Sequence, residues 1–180
     1  MNPLWGNIFR KKSEEESLAY LLGTIPLFTD LNGREIRLLE SLVHIRHYDA
    51  GETIFKEGDP GSGLYIIRSG RVRIFHLSPS GQEEEVTILG PGDFFGETTL
   101  TAPASRTASA RALENAELVG LFRADLMEVI PKHLGLANKI LMGLTRCISE
   151  RLHSASYEIR RLKAQLESAA TERESAGLPE

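Results

Sequence analysis

The sequence predicts a mainly β protein, an eight-stranded jelly-roll barrel with helices before it and a long C-terminal helix after it. Seven short runs of β-prone residues lie between positions 44 and 122, and turn-forming Gly, Pro, Asp and Ser residues separate them. Closely spaced short strands of this kind are typical of barrels and jelly rolls. The runs are 44–48, 53–55, 64–69, 72–77, 84–89, 107–111 and 117–122.

Apolar residues at helical spacing precede this β-rich part. A first helix is predicted to end at Pro26, so that residues 1–26 form a helical extension, and Asp30 is predicted to cap a second helix. The β-rich domain is expected to cover residues 27–133, with a short last helix that Pro131 terminates. The apolar positions of the first two helices are Leu18, Leu21, Leu22 and Ile25, then Ile36, Leu39, Leu42 and Val43.

A long helix is predicted over residues 134–167, because apolar residues recur there every three or four positions. Such a seam suits a coiled coil as well as a single helix that packs on its own barrel. Since the seam extends far past the barrel, we expect it to join two chains in a homodimer. Residues 168–180 are expected to be a disordered tail. The seam consists of Leu141, Leu144, Ile148, Leu152, Ala155, Ile159, Leu162 and Leu166.

The composition argues against several classes of protein. Of the 180 residues, 41% are hydrophobic and 26% are charged, which is typical of a soluble globular protein, and no apolar run is long enough to span a bilayer. The net charge of −4 argues against direct DNA binding. The first twelve residues lack the features of a secretory signal, and the single cysteine, Cys147, cannot form an internal disulfide. We therefore expect a cytoplasmic protein.

The segment from Phe95 to Ala112 contains groups that can bind an anion and a sugar together. Gly96 lets the backbone approach a ligand closely, and residues 98–100 can begin a short helix whose N–H groups point at an anion. Arg106 offers a charge-assisted fork for a phosphodiester, and Glu97 can accept a hydrogen bond from a ribose hydroxyl. The same two side chains can instead form a surface ion pair that needs no ligand. These residues alone leave both interpretations open.

Three motifs surround this segment, and they occur in order along the chain. They are Gly51-Glu52-x-Ile54-Phe55-x-Glu57-Gly58-Asp59-x-Gly61-x-x-Leu64-Tyr65-Ile66-Ile67-x-Ser69-Gly70-x-Val72, then Leu89-Gly90-Pro91-Gly92-Asp93-Phe94-Phe95-Gly96-Glu97, then Ser105-Arg106-Thr107-Ala108. Through these motifs the chain from about 28 to 166 resembles the cyclic-nucleotide-binding domain family, in the form of the sensor domain of catabolite activators. Thr98, Thr99 and Ser105 depart from the residues that are usual in that family.

The resemblance implies roles for individual residues. Arg106 and the backbone after Glu97 are expected to hold the cyclic phosphate, Glu97 to bind the ribose 2′-hydroxyl, and Thr107 to contact phosphate or base. Ile74 and Val86 match base-pocket positions, although both also suit the barrel core. The expected ligand-binding residues are Phe95, Gly96, Glu97, Thr98, Thr99, Arg106, Thr107, Ala108, Ile74, Val86, Ala155 and Ser156.

Ala155 and Ser156 enter this set because Arg151-Leu152 is similar to an Arg-Leu step that precedes the base-contacting turn in the activators. The family closes its pocket with different lid residues, so Leu152 or Ile159 are alternatives. The hydroxyl of Thr99 can point at the phosphate or simply cap its own turn.

The implied function is that of a stand-alone regulatory protein rather than an enzyme. It is expected to bind cAMP or cGMP, with no cofactor or metal, and to convert occupancy into a movement of the C-terminal helix. Only residues 169–180 follow that helix, so no helix-turn-helix domain is expected. The alternative is a nucleotide-free dimerisation or docking module with the same fold. A cupin-type metal enzyme would need clustered ligands, and His44, His47 and His76 are poorly spaced for that role.

The N-terminal segment carries an apolar face of its own. Leu4, Trp5, Ile8 and Phe9 lie beside three basic residues, 10–12. This pattern suits docking on a protein partner or a membrane surface, and it equally suits packing on the barrel.

Overall fold

The computed structural model describes residues 17–175, and the side chains as far as residue 168. Its contacts divide the chain into two units, Met1–Gly143 and Leu144–Glu180. The apolar N-terminal face around Trp5 lies outside the described residues, as do residues 176–180.

The first unit begins with two short helices and a 3₁₀ turn. Helix α1 is Leu18–Thr24, and the Ser17 hydroxyl caps it by accepting a hydrogen bond from the Tyr20 N–H. Pro26 opens the 3₁₀ turn Pro26–Phe28, so the predicted helix end is confirmed. Helix α2 is Gly33–Glu40.

The predicted cap of α2 was wrong. Asn32, not Asp30, caps the helix. Its side chain accepts hydrogen bonds from the backbone N–H groups of Arg34 and Glu35, and the Glu35 carboxylate accepts one from the Asn32 N–H. This reciprocal capping box satisfies more of the free N–H groups than a lone aspartate two residues earlier.

Ten strands follow, and three of them are only two residues long. The short ones were not predicted, whereas the seven longer strands match the seven predicted runs to within two residues at each end. The strands are β1 Val43–Tyr48, β2 Thr53–Phe55, β3 Pro60–Gly61, β4 Gly63–Ser69, β5 Val72–Leu77, β6 Glu83–Leu89, β7 Phe94–Phe95, β8 Ala104–Ser105, β9 Ser109–Ala112 and β10 Ala116–Phe122.

Two four-stranded antiparallel sheets form the roll. Their strand orders are β1-β10-β4-β7 and β2-β9-β5-β6, and β3 pairs separately with β8. The jelly-roll fold is therefore confirmed, but the closed eight-stranded barrel is corrected to an open roll of two sheets. No ladder joins the two sheets among the described strands, because turns and the short β3–β8 pair make the connections between them.

Side chains from both sheets meet in one core. Tyr65 and Ile67 of β4, Val72 of β5, Ala110 of β9 and Leu118 of β10 are all buried in this cluster. Residues on the opposite side of β4 and β10 are buried as well, so both faces of this central pair of strands are covered. The strands that lead into the candidate site thus start from a rigid, close-packed base.

Two helices follow the roll. Helix α3 is Arg123–Val129, which ends just before Pro131, and the long helix α4 is Leu134–Ser175. The predicted boundary at residue 167 is therefore too early, and residues 168–175 are helical where a disordered tail was expected. Ala, Glu and Arg are strong helix formers, which accounts for the helix continuing to Ser175.

The second unit consists of the α4 residues from Leu144 onward. Several of its predicted seam residues are exposed to solvent. Leu152 is 67% exposed, Ile159 55% and Leu166 71%. The helix thus presents an uncovered apolar stripe within the unit.

Candidate functional site

The cradle, defined here as residues 95–108, is held in place by short pieces of ladder. Strand β7 pairs with β4, Phe95 opposite Tyr65, and β8 pairs with β3. Beyond this pair the Arg106 N–H donates to the Asp59 carbonyl at 2.8 Å, and the Gly58 N–H donates to the Arg106 carbonyl at 2.9 Å. The Arg106 backbone is therefore fixed on both sides.

Gly96 makes the turn that brings Arg106 close. Its φ is +78°, in the left-handed region that glycine adopts at least cost. A Cβ at this position would overlap Nη1 of Arg106, so the backbone must lack a side chain here. The chain then forms the 3₁₀ turn Glu97–Thr99. The group that approaches Gly96 in the structure is Arg106, and the predicted close approach of a ligand stays a prediction.

Arg106 is the central side chain of the cradle, and only 5% of it is exposed. Its Nη1 donates to the Gly63 carbonyl at 2.8 Å, the Gly96 carbonyl at 3.1 Å and the Thr99 hydroxyl at 3.0 Å. Nε is buried and has no hydrogen-bond partner among the described residues. Nη1 is therefore anchored, whereas Nε is a buried donor without a hydrogen-bond acceptor among the described residues.

Aromatic rings cover the faces of this guanidinium. Its Cζ lies 4.1 Å from the centre of the Phe55 ring and 5.9 Å from that of Tyr65. Burial lowers the pKa of Arg106 from its ordinary value, and the nearby Tyr65, Asp59 and Glu97 partly oppose this shift. Because arginine stays protonated in proteins, Arg106 is a buried cation, and a buried cation attracts anions strongly.

Glu97 lies close enough to influence that charge. It is only 6% exposed, and the hydrogen bonds that Arg106 makes among the described residues go to two carbonyls and to Thr99. Because both side chains are buried, the surface ion pair that the sequence left open does not describe this arrangement. The cradle therefore holds a buried cation and a buried carboxylate side by side.

The two threonines of the 3₁₀ turn face different ways. Thr98 is exposed, whereas Thr99 is fully buried. The Thr99 hydroxyl accepts a hydrogen bond from Nη1 of Arg106, and it can donate to the carbonyl of Gly96 or Gly63. It is thus used inside the protein, and the sequence-based alternative of a hydroxyl aimed at a phosphate does not describe this arrangement.

The remaining cradle residues border the same space to different degrees. Phe95 is buried and stacks on Tyr65 with ring centres 5.7 Å apart. Thr107 is exposed and Ala108 is half-buried. They follow Arg106 on the loop that leads into β9, and they remain predictions as ligand contacts.

Ile74 and Val86 lie on paired strands of the second sheet. Ile74 packs against the roll core, opposite Thr87 and Ala110. Val86 falls where the β5–β6 register shifts, and it is 54% exposed. A large aliphatic side chain with that exposure is available to cover an apolar ligand group.

The two predicted lid residues belong to the second unit. Ala155 is exposed and Ser156 is half-buried on α4. They remain predictions as ligand contacts.

Three residues of the site were not predicted from the sequence. Phe55 covers Arg106, Gly63 supplies a carbonyl to it, and Arg123 donates from Nη1 to the Thr99 carbonyl at 2.9 Å. Phe55 and Gly63 flank the turn at residues 57–61 of the first motif, but only the pairing of Gly58 and Asp59 with Arg106 reveals their proximity. Arg123 carries no local sequence signal.

The described part of the chain shows neither a metal-binding cluster nor a membrane-spanning helix. Across residues 17–175 no three His, Cys, Asp or Glu side chains gather as a metal ion would require. In the same range none of the helices has the length and apolarity needed to cross a bilayer.

Comparison with known proteins identifies relatives of this domain. Residues 45–133 match the model of the cyclic nucleotide-binding domain. The cyclic AMP receptor protein of Thermus thermophilus is 40% identical over 134 residues, which are 74% of this chain and 60% of that protein. The chain thus spans less than two thirds of the length of this relative.

Two solved structures are similar to this chain in fold and sequence. The crystal structure of the Thermus thermophilus catabolite activator protein has a TM-score of 0.69 at 39% identity, covering 77% of this chain and 63% of the other. The N-terminal domain of a transcriptional regulator from Streptomyces coelicolor has a TM-score of 0.68 at 30% identity, covering 73% of this chain and 94% of the other.

Proposed function

We propose that this chain, which belongs to the cyclic nucleotide-binding domain family through residues 45–133, is a regulatory protein that binds a cyclic nucleotide in the cradle. cAMP is the first candidate, because relatives carry it in their names: the cyclic AMP receptor protein of Thermus thermophilus and a cAMP-activated regulator of Mycobacterium tuberculosis. No chemical reaction is part of this function.

One observation carries the proposal, namely the buried Nε of Arg106 without a hydrogen-bond partner. A buried, unpaired donor on a charged group is costly, and native proteins retain such groups mainly where function requires them. The Nε–Nη2 edge of a guanidinium matches two oxygens of a phosphate in a side-on fork. A cyclic phosphodiester has two such oxygens and one negative charge, which satisfies both the donors and the cation.

The neighbouring groups suit the rest of a cyclic nucleotide. Glu97, as a carboxylate, accepts hydrogen bonds and so suits the ribose 2′-hydroxyl. Ile74 and the exposed Val86 supply aliphatic surface for a flat base. Thr107, exposed beside Arg106, is placed to bind phosphate or base.

Calorimetric titration with cAMP and with cGMP tests this assignment. Arg106→Ala is expected to weaken binding by about 10- to 150-fold, since a hydrogen bond to a charged group contributes about 1.5–3 kcal/mol. Arg111→Ala is a matched control, because Arg111 lies five residues further on and binds Glu83 instead. Equal affinity of Arg106→Ala and wild type would overturn the proposal.

We propose further that occupancy is coupled to helix α4, with Ala155 and Ser156 as lid residues. A ligand shifts a conformational equilibrium only by its difference in affinity for the two arrangements, so contacts with a lid matter more than total affinity. Hydrogen exchange of residues 144–168 with and without cAMP tests this coupling. Protection that appears in wild type and is absent in Arg106→Ala supports it, and unchanged exchange in wild type contradicts it.

The exposed stripe of α4 favours a second function, association of two copies. Leu152, Ile159, Leu162 and Leu166 are 48% to 71% exposed and continue the predicted seam. In sedimentation velocity, Leu162→Glu is expected to convert a dimer to a monomer, whereas Gln165→Glu is expected to leave the dimer intact. A dimer that binds neither cAMP nor cGMP would favour the nucleotide-free module instead.

A further inference from the structure

Thr99 lies between two arginines of the site. Its hydroxyl contacts Nη1 of Arg106 at 3.0 Å, and its carbonyl accepts a hydrogen bond from Nη1 of Arg123 at 2.9 Å. Arg123 is the first residue of α3, and its Nη1 also donates to the Gly61 carbonyl at 3.3 Å. The backbone of Thr99 is thus fixed from one side while its side chain contacts Arg106 on the other.

The side chain of Thr99 is held by packing and by hydrogen bonds. The residue is fully buried, and a Cβ on Gly61 would overlap its methyl group, its Cβ and its hydroxyl, so the whole side chain lies against Gly61. The direction of the hydroxyl is set by its hydrogen bonds. It has one hydrogen to donate, to the Gly96 or Gly63 carbonyl, and it accepts the Arg106 hydrogen bond through a lone pair.

This arrangement decides which edge of Arg106 is left for a ligand. All three hydrogen bonds that Arg106 makes among the described residues leave from Nη1. Two of the acceptors are backbone carbonyls that any sequence would supply, and the third is the Thr99 side chain. Because a guanidinium is planar, holding Nη1 also sets the direction of the Nε–H bond.

We propose that Thr99 is a positioning residue for anion binding, which aims the Nε edge of Arg106 at the phosphate. The inference rests on the proposed function and names a residue that acts through Arg106 rather than on the ligand. It requires the hydroxyl and not the shape of the side chain.

Two substitutions in the full chain separate hydroxyl from shape. Thr99→Val keeps the volume and removes the hydroxyl, and it is expected to weaken cAMP binding about tenfold in calorimetric titration. Thr99→Ser keeps the hydroxyl and is expected to stay within about threefold of wild type. Thr101→Val, at an exposed threonine two residues away, is the control and is expected to bind as wild type does. Thr99→Ala replaces the valine variant if the latter does not fold, with the same expected loss.

A second readout needs no ligand. In ¹⁵N NMR spectra of the free protein, rotation of the Arg106 Nη1 group is expected to be slow in wild type and in Thr99→Ser, and fast in Thr99→Val. Equal rotation rates in all three proteins, wild-type affinity of Thr99→Val, or an equal loss in Thr99→Ser and Thr99→Val would each overturn the positioning role. If wild type binds neither cAMP nor cGMP, the proposed function fails, and the rotation rates alone then decide the role of Thr99.

Discussion

Arg106 and Arg111 are five residues apart, and both lie against an aromatic ring, yet their surroundings differ in one respect. Arg106 lies 4.1 Å from the ring centre of Phe55, and Arg111 lies 4.9 Å from that of Phe75. Arg111 binds Glu83 through both Nη atoms, at 2.8 and 3.1 Å, whereas the hydrogen bonds of Arg106 within residues 17–175 all go to neutral oxygens.

This difference shows how a protein can keep a cation available for an external anion. On the outer cluster, Arg73 and Arg111 share the carboxylate of Glu83, and Glu85 binds Arg73 as well. Those charges are already neutralised. In the cradle, the three acceptors of Nη1 are uncharged, and the carboxyls of Asp59 and Glu97 lie near enough to act on the charge of Arg106. Arg106 is thus ordered by uncharged groups, whereas Arg111 is ordered by a carboxylate.

The largest effect is expected at the turn that brings Arg106 into the cradle. Gly96→Ala introduces a strained φ and a Cβ that displaces Nη1 of Arg106. Strain of about 1–2 kcal/mol, together with the lost charged contact, is expected to reduce cAMP affinity about 100-fold or more in calorimetry.

Gly92→Ala is the matched control for that change. Gly92 has φ +89°, but a Cβ there would meet nothing within 4 Å. Its melting temperature is expected to fall as much as the backbone strain requires, while the affinity stays close to wild type. A similar affinity loss in both variants would show that strain, and not the displaced Arg106, is responsible.

The next largest loss of cAMP affinity separates the charge of Arg106 from the geometry of its guanidinium. Arg106→Lys keeps the cation but cannot offer two donors from one plane, so we expect about a 10- to 100-fold loss of cAMP affinity. Arg111→Lys retains its contact with Glu83 and is expected to bind cAMP as wild type does. Full affinity in Arg106→Lys would mean that a point charge is sufficient and that the orphaned Nε is not used.

A smaller loss of cAMP affinity is expected at Phe55, the aromatic partner of Arg106. Phe55→Leu removes the ring over Arg106, and a cation–π contact contributes about 0.5–2 kcal/mol, so affinity should fall about 2- to 30-fold. Phe55→Tyr should restore most of it. Phe75→Leu, the corresponding change in the outer cluster, should lower the melting temperature without changing the affinity, and a binding defect there would contradict the separation of the two regions.

The smallest effect concerns acid stability of the outer cluster. Hydrogen bonds from Arg111, together with the charges of Arg111 and Arg73, lower the pKa of Glu83 from its ordinary value of 4.5. Because the folded pKa is the lower one, Glu83 contributes stability above pH 4.5 and loses that contribution as the pH falls through the folded pKa. The melting temperature of Glu83→Gln should therefore fall less steeply with acid than that of wild type. Glu84→Gln, next along the strand, should follow the wild-type curve.

The order and type of the elements were predictable because they depend on local patterns. Alternating β-prone runs and turn residues identified the seven longer strands, and Pro26 marked the end of α1. Two-residue strands leave too little pattern to detect, and the open roll depends on which strands pair. The cap of α2 was misplaced because Asp30 and Asn32 are both good capping residues, and the choice depends on the reach of Glu35.

The candidate site was predictable only in part. Gly96, Glu97 and Arg106 lie in one segment, so the sequence and its family resemblance identified them together. Phe55 comes from a strand about fifty residues away, and the role of Thr99 depends on which way a buried rotamer points. Long-range contacts and side-chain directions of this kind are set by tertiary packing, which no local pattern records.

The outer cluster also has a consequence for the free edge of the second sheet. Strand β6 is the last strand of that sheet, so one of its sides has no ladder partner among the described strands. It begins with three consecutive glutamates, 83–85. If the same edge of another copy approached, like charges would meet along the strand, and edge-to-edge pairing would be repelled. Glu84, which is exposed and takes no part in the ion pairs of the outer cluster, is the residue expected to contribute most to this repulsion.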